Sequence, residues 1–281
     1  MIKESHSPLP KPEPYRLLVW LAAEFMRLGW DMKGLQRQII MSAAYRQSSH
    51  ISAGHPCSRL DPENRPLWRG PRIRLSGEIV RDQALAMSGL LADKIGGPSV
   101  LPYIPEGVWD ETSNYGDLRG YKADTGEGLY RRTMYTIWKR TAAPPTMRLF
   151  DSPTREICTV KRSCTNTPLQ ARALLNEVTF VEAARALAEQ MLSDLQASTE
   201  QRLNNAFKQA TSRSPNYEEL ALLVRGLQGL LTHYQTYPDV AKQLIDFGSH
   251  VSKSAANAAE AAAYTLTANV LLNLDEVITR P

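Results

Sequence analysis

Cationic and aromatic side chains crowd one stretch of this chain. Between Leu129 and Thr165 stand Arg131, Arg132, Lys139, Arg140, Arg148, Arg155, Lys161 and Arg162, opposed by Asp151 and Glu156. That is an excess of about six positive charges, in a chain whose formal net charge is +4. A guanidinium presents a planar fork of donors that fits carboxylates, sulfates and phosphates. Arg131, Arg132, Lys139, Arg140, Arg155 and Arg162, joined by Arg69 and Arg72 from an earlier loop, are therefore candidates for holding an anion such as a sulfated glycan. Trp138 and Asn166 stand in the same segment. The competing use of these cations is internal ion pairing with Asp124, Glu127, Asp151 and Glu156, which would fix loops and bind nothing.

Other chemistry is weaker. Asp151 and Glu156, with Asp124 and Glu127 nearby in sequence, could act as a glycosidase pair if two of them were held about 5–10 Å apart. Cys158, near Glu156 and Lys161, is a candidate low-pKa thiolate. Trp68, Trp109, Trp138, Tyr103, Tyr115 and Tyr121 would stack on sugar rings if exposed and serve as core if buried. No metal site is expected. His6, His50, His55, His233 and His250 are scattered, and His50, His55 and Cys57 match no usual zinc spacing. Cys57, Cys158 and Cys164 are too few for a disulfide scaffold; free thiols are expected, with a local Cys158–Cys164 bridge as the alternative.

Composition narrows the class. At 281 residues, 43% hydrophobic and 22% charged, the chain reads as globular. The basic excess is too small, and too little organised along a motif, to imply nucleic acid. No apolar run reaches the ~20 residues of a membrane span; Leu17–Leu28 is interrupted by Glu24 and Arg27. The first residues, MIKESHSPLPKPEPY, lack the apolar core of a signal peptide.

The elements that must position these residues are mostly helices. An extended lead-in over 1–14 precedes one mainly helical domain over 15–281, with minor β. Helical spacing of Leu17, Leu18, Leu21, Phe25 and Leu28, ended by Gly29, predicts a first helix. Asp31 is the expected N-cap of a second, running to Gln47 with Leu35, Ile39, Ile40 and Ala43 on its apolar face. Ser76 should cap a helix to Ile95, stopped by Gly96-Gly97-Pro98. The centre, 96–166, reads as irregular loop and strand. Leu129–Arg140 is the expected strand, pairing with part of 99–128 or with 157–162.

From residue 167 to 281 a helical bundle is predicted. Thr167-Pro168-Leu169-Gln170 is a helix start. Thr179 with Glu182, and Ser198 with Gln201, read as capping boxes. Ser214-Pro215 should open a helix burying Leu220, Leu223, Leu227, Leu230 and Leu231. Helices over 238–247 and 255–273 complete the bundle. No nucleotide or zinc motif appears in it.

YRQSS (Tyr45–Ser49), DPENRPLWRGPRIRLS (Asp61–Ser76), GGPSV (Gly96–Val100), YRRTMYTIWKRT (Tyr130–Thr141), FDSPTREICTVKRSCTNTPLQARALLN (Phe150–Asn176) and VLLNLDE (Val270–Glu276) follow one another in order. Together they resemble the C-terminal domain of unknown function in large planctomycete-type cytochrome c proteins. The resemblance implies a periplasmic or secreted module that works with upstream domains, one of which carries haem. This chain has no C-x-x-C-H site, so no cofactor is expected in it. The family supplies no catalytic residues. Two positions depart from its pattern: Cys164 stands where an arginine or another residue is usual, and Glu177-Val178 stands where Asp-Pro is usual. The function expected is a non-catalytic interaction module that handles anionic polysaccharide. An enzyme acting on glycans or their esters and a purely structural module are the alternatives.

Overall fold

The computed structural model describes residues 13–52, 54–109, 121–139, 143–251 and 256–280. Among them are twelve α-helices and one two-stranded sheet, β1 (Ile73–Arg74) with β2 (Thr279–Arg280), so the fold is mainly α. The chain divides into two compact units, residues 1–73 with 280–281, and residues 74–279.

The first unit opens with α1 (Glu13–Arg27) and α2 (Met32–Met41). Gly29 ends the first turn of chain reversal in the left-handed region, φ 67°. Glu24 ties the two helices, accepting from Gln38 at 2.8 Å while Arg27 clamps it from its own helix. Asp31 takes the N-cap position of α2 but makes no cap hydrogen bond. The second helix stops at Met41, six residues before the expected end, because Ser42 turns extended (ψ 147°) and its hydroxyl donates to the Ile39 carbonyl. The predicted apolar faces are only partly covered. Leu35 and Ile39 are half-buried, whereas Leu17, Leu18, Trp20, Trp30 and Ile40 are exposed. After the short α3 (Cys57–Leu60), the loop over 61–70 is closed by its own side chains. The Asn64 side chain brackets the backbone of Arg69, and the Trp68 indole donates to the Asp61 carbonyl and stacks on His55.

The second unit begins with α4 (Gly77–Met87), which is shorter than its sequence pattern. Gly89 (φ 71°) turns the chain, and the amides of Leu90 and Leu91 both fold back onto the Leu85 carbonyl, so residues 88–95 are not helical. The predicted strand over 129–140 is also corrected. The chain there makes 3-10 turns at 126–130 and 133–135, with two isolated parallel bridges, Ala92 to Arg131 and Val100 to Thr136. Its β-forming residues cannot build a ladder because side chains from α4 take the backbone groups that a ladder needs. Val100 confirms that the stretch from residue 99, and not 157–162, is the neighbour.

The short α5 (Pro145–Leu149) leads to the loop over 150–166. Then come α6 (Pro168–Asn176), α7 (Val178–Ser193), α8 (Thr199–Thr211), α9 (Tyr217–Thr236), α10 (Pro238–Ile245), α11 (Ala258–Leu272) and α12 (Asp275–Ile278). Thr167 caps α6 through the Gln170 amide, and Ser198 and Gln201 form the expected box on α8. Asn216 and Glu219 form a further box that starts α9 two residues later than Ser214-Pro215 suggested.

The core is built on α7 and α11. Ala183, Ala184, Ala262, Ala263 and Ala268 have no exposed surface, and so little side chain lets the two helices approach closely. Phe180, Leu187, Leu203, Leu227 and Leu271 fill the space around them. Interiors packed this tightly have no room for added methylenes. Ala183→Leu should therefore destabilise the protein by about 1–3 kcal/mol or more, read as a lower urea midpoint with an unchanged m-value.

Candidate functional site

The irregular centre of the second unit is held by charged side chains that reach it from rigid helices. Arg81, buried on α4, donates through Nη2 to the Leu129 carbonyl at 2.6 Å, and through Nη1 to the Arg131 carbonyl at 2.9 Å and to Thr133 Oγ1 at 3.2 Å. Asp82, the next residue, accepts from the Thr133 amide and hydroxyl at 2.7 and 2.6 Å. The adjacent pair thus serves both polarities of the 129–133 backbone. Arg131 repeats the device one layer on. It is buried, lies 4.1 Å from the Tyr135 ring centre, and donates to the carbonyls of Lys94, Gly96 and Pro98.

A second clamp rises from α7. Glu182 accepts from the amides of Ser249 and His250 at 2.5 and 2.9 Å, and from the hydroxyls of Tyr103 and Tyr130 at 2.9 and 3.1 Å. One turn later, Arg185 donates to the carbonyls of Ile245, Phe247 and His250 at 2.5, 2.8 and 2.6 Å. An acid and a base at i and i+3 share a helix face, so together they take the amides and the carbonyls of one loop. Gly248 is required there: its φ is 89°, and a Cβ would sit 2.3 Å from Glu182 Oε1. Burial raises the pKa of Tyr103 and Tyr130, and the Glu182 charge adds to it, so both phenols stay protonated as donors. The pairing of Thr179 with Glu182 as a capping box is corrected. Glu177 caps α7, accepting from the Thr179 amide at 3.0 Å, while Glu182 faces the core.

Glu177 is also the most perturbed carboxyl of this centre. It lines a cavity of about 20 Å³ with Arg81, Tyr103, Thr146 and Thr179. Burial pushes its pKa up to about 7, against the hydrogen bonds from Thr179 and the attraction of Arg81. Burial pulls Arg81 the other way, opposed by the charges of Glu177 and Asp82. A space that small holds about one water molecule. The break between α6 and α7 persists with Glu177-Val178, because Glu177 keeps an extended backbone (ψ 139°) and caps the next helix.

The residues expected to bind an anion are dispersed over several roles. Arg131 is spent on carbonyls. Arg132 and Asn166 are exposed. Arg155, exposed and in the left-handed region (φ 65°), lies over the Trp138 ring at 4.3 Å, and the Trp138 indole donates to the Thr154 carbonyl. Lys139 stands 5.9 Å from the Trp109 ring. Arg162 pairs with Glu78 at 3.0 Å. Arg140 lies outside the described residues, as does Tyr115. Arg69 and Arg72 belong to the other unit; Arg69 donates to the Pro62 carbonyl and stacks on Trp68, and Arg72 is exposed. Of the acid and thiol candidates, Asp151 accepts from the Thr165 amide and hydroxyl at 2.6 and 2.7 Å. Glu156 is exposed, and Cys158 and Cys164 are exposed free thiols. No group of His, Cys, Asp and Glu able to hold a metal occurs among the described residues.

The sequence does not mark Arg81 or Arg185, and it marks Glu182 only as a capping residue and Glu177 only as a departure from the family pattern. A signal was present for two of them. Glu182 and Arg185 lie within Phe180–Leu192, whose other residues are nearly all apolar, and charges inside such a run need buried partners.

Residues 9–227 match the family model described as PSD1, a protein of unknown function (DUF1553), and the chain belongs to that family. No curated protein and no solved structure gives a match.

The raised carboxyl sets a pH dependence. The folded state keeps a proton on Glu177 that the unfolded chain releases above about pH 4.5, so this contribution to stability is fullest below that pH. It is lost progressively as pH rises to about 7. Glu177→Gln removes the titration. Between pH 4.5 and 8 the wild type should lose on the order of 2–3 kcal/mol relative to the variant, measured by urea unfolding at each pH. Parallel profiles would show that Glu177 titrates normally.

Proposed function

We propose that this chain is a non-catalytic interaction module of an envelope or secreted, cytochrome-linked system, and that it holds anionic polysaccharide on exposed side chains of residues 132–139 and 143–166. The observation that carries the reading is the Arg155–Trp138 stack. A guanidinium laid on an indole keeps its in-plane donors directed outward, and the stacking adds ~0.5–1 kcal/mol at an exposed site. Arg132, Lys161 and Asn166 are exposed in the same segment and offer further donors.

Two features favour binding over catalysis. Glu182 and Asp151 already accept several protein donors each, and the cavity beside Glu177 has room for a water but not for a sugar. The exposed apolar side chains of α1 and α2, among them Leu18, Trp20 and Ile40, suit the upstream domains that the resemblance implies.

Dextran sulfate is the probe and uncharged dextran its control, in affinity electrophoresis at low and physiological salt. Retardation should occur with the sulfated polymer alone and weaken with salt. Arg155→Ala should cut affinity about tenfold or more, in line with ~1.5–3 kcal/mol for a charged hydrogen bond. Arg155→Lys should recover part of it, because lysine keeps the charge without the fork. Equal retardation by both polymers, or an unchanged Arg155→Ala variant, would overturn the reading.

A further inference from the structure

The first unit has no core of its own. Among its described residues between 15 and 73, Gly70 alone is buried, so no side chain there is fully removed from water. Small units that cannot close a core are completed by other means, association among them.

The helix α1 shows where cover is missing. Leu21, Phe25 and Leu28, on the side that Glu24 ties to α2, are half-buried. A second apolar stripe runs along its other side. Leu18, Ala22 and Met26 form one row at i, i+4 and i+8, with Val19 and Ala23 in the row beside it. All five are exposed, Leu18 by 64%, Val19 by 51% and Met26 by 56%. A helix that is apolar on two sides belongs inside an assembly. The stripe carries no charge, so its cover has to be apolar as well.

We propose that two copies of this chain pair through α1, the two helices antiparallel about a two-fold axis near Trp20 and Leu21. The order of large and small side chains makes the stripe complementary to itself. In that register Leu18 of each copy meets Ala22 of the other, and Val19 meets Ala23, so branched side chains enter the space that the alanines leave. Trp20 flanks the stripe and is 54% exposed. With it the stripe offers on the order of 600 Å² per copy, or about 1,200 Å² for the pair, where stable interfaces begin. The reading above gives the apolar surface of α1 and α2 to upstream domains. Two copies cover the stripe without them and leave them the exposed Met32, Ile40 and Met41 of α2.

The test is sedimentation velocity of the full chain across micromolar concentrations. A reversible monomer–dimer equilibrium is expected, dissociating in the micromolar range as suits a small interface. Ala22→Glu buries an unpaired charge in the pairing face and should weaken the dimer about tenfold or more. Ala22 is exposed and glutamate is a good helix former, so the variant folds. Gln36→Glu, at an exposed position of α2, should leave the dimer unchanged. Leu18→Lys alone should behave as Ala22→Glu does. Mixing these two variants should restore dimers, because the antiparallel register sets that lysine against that glutamate. A wild type that stays monomeric overturns the proposal. So does a dimer that Ala22→Glu leaves intact, or a mixture of the two variants that stays monomeric.

Discussion

Buried charge meeting backbone, rather than opposite charge, is the interaction on which this structure depends. A segment without regular structure must satisfy its amides and carbonyls somewhere, and burying them unpaired costs ~1–3 kcal/mol each. Here they are satisfied by charged side chains, most of them anchored on helices. Arg81 and Asp82 serve residues 129–133, Arg131 serves 94–98, and Glu182 and Arg185 serve 245–250. Arginine suits the task, since five fixed donors reach several carbonyls at once. Taking such charges out of water is expensive, so each clamp holds only while the loop keeps its shape.

This arrangement explains how a chain of the PSD1 family can be basic at its centre while some of those cations serve its own backbone. Of the cations that read as ligand donors there, Arg131 is a backbone staple within the fold, whereas Arg132, Arg155 and Arg162 stand at its surface. Arg162 does form an ion pair, but with Glu78 of α4 and not with the acids nearby in sequence, and ion pairing does not account for Arg131 or Arg155. The helical bundle depends on a different constraint, the alanine-lined approach of α7 and α11, which leaves α9 with leucines on two sides.

Helix type and many boundaries were legible in sequence because caps are local. Thr167 with Pro168 after it, and Ser198 with Gln201, act within one turn. The ends of α2 and α4 were not legible, since apolar periodicity continues past Met41 and Met87 while Ser42 and Gly89 redirect the backbone. The false strand at 129–140 has the same origin: its residues favour extended structure, but Arg81 and Asp82, about fifty positions away, decide where its hydrogen bonds go. Long-range pairing of side chain with backbone has no spacing rule to read. Glu182 shows the cost of reading locally, because a plausible N3 position in a capping box is in fact a core carboxylate.

Native-state hydrogen exchange tests the central claim most directly. The amides of Thr133, Ser249 and His250 lie outside α-helices and strands, and each donates to a carboxylate of a clamp. If the clamps hold the fold, these three amides should exchange only through global unfolding, as slowly as the core amides of α7 and α11. Exchange at the rate of the exposed loop amides between 155 and 163 would contradict the account.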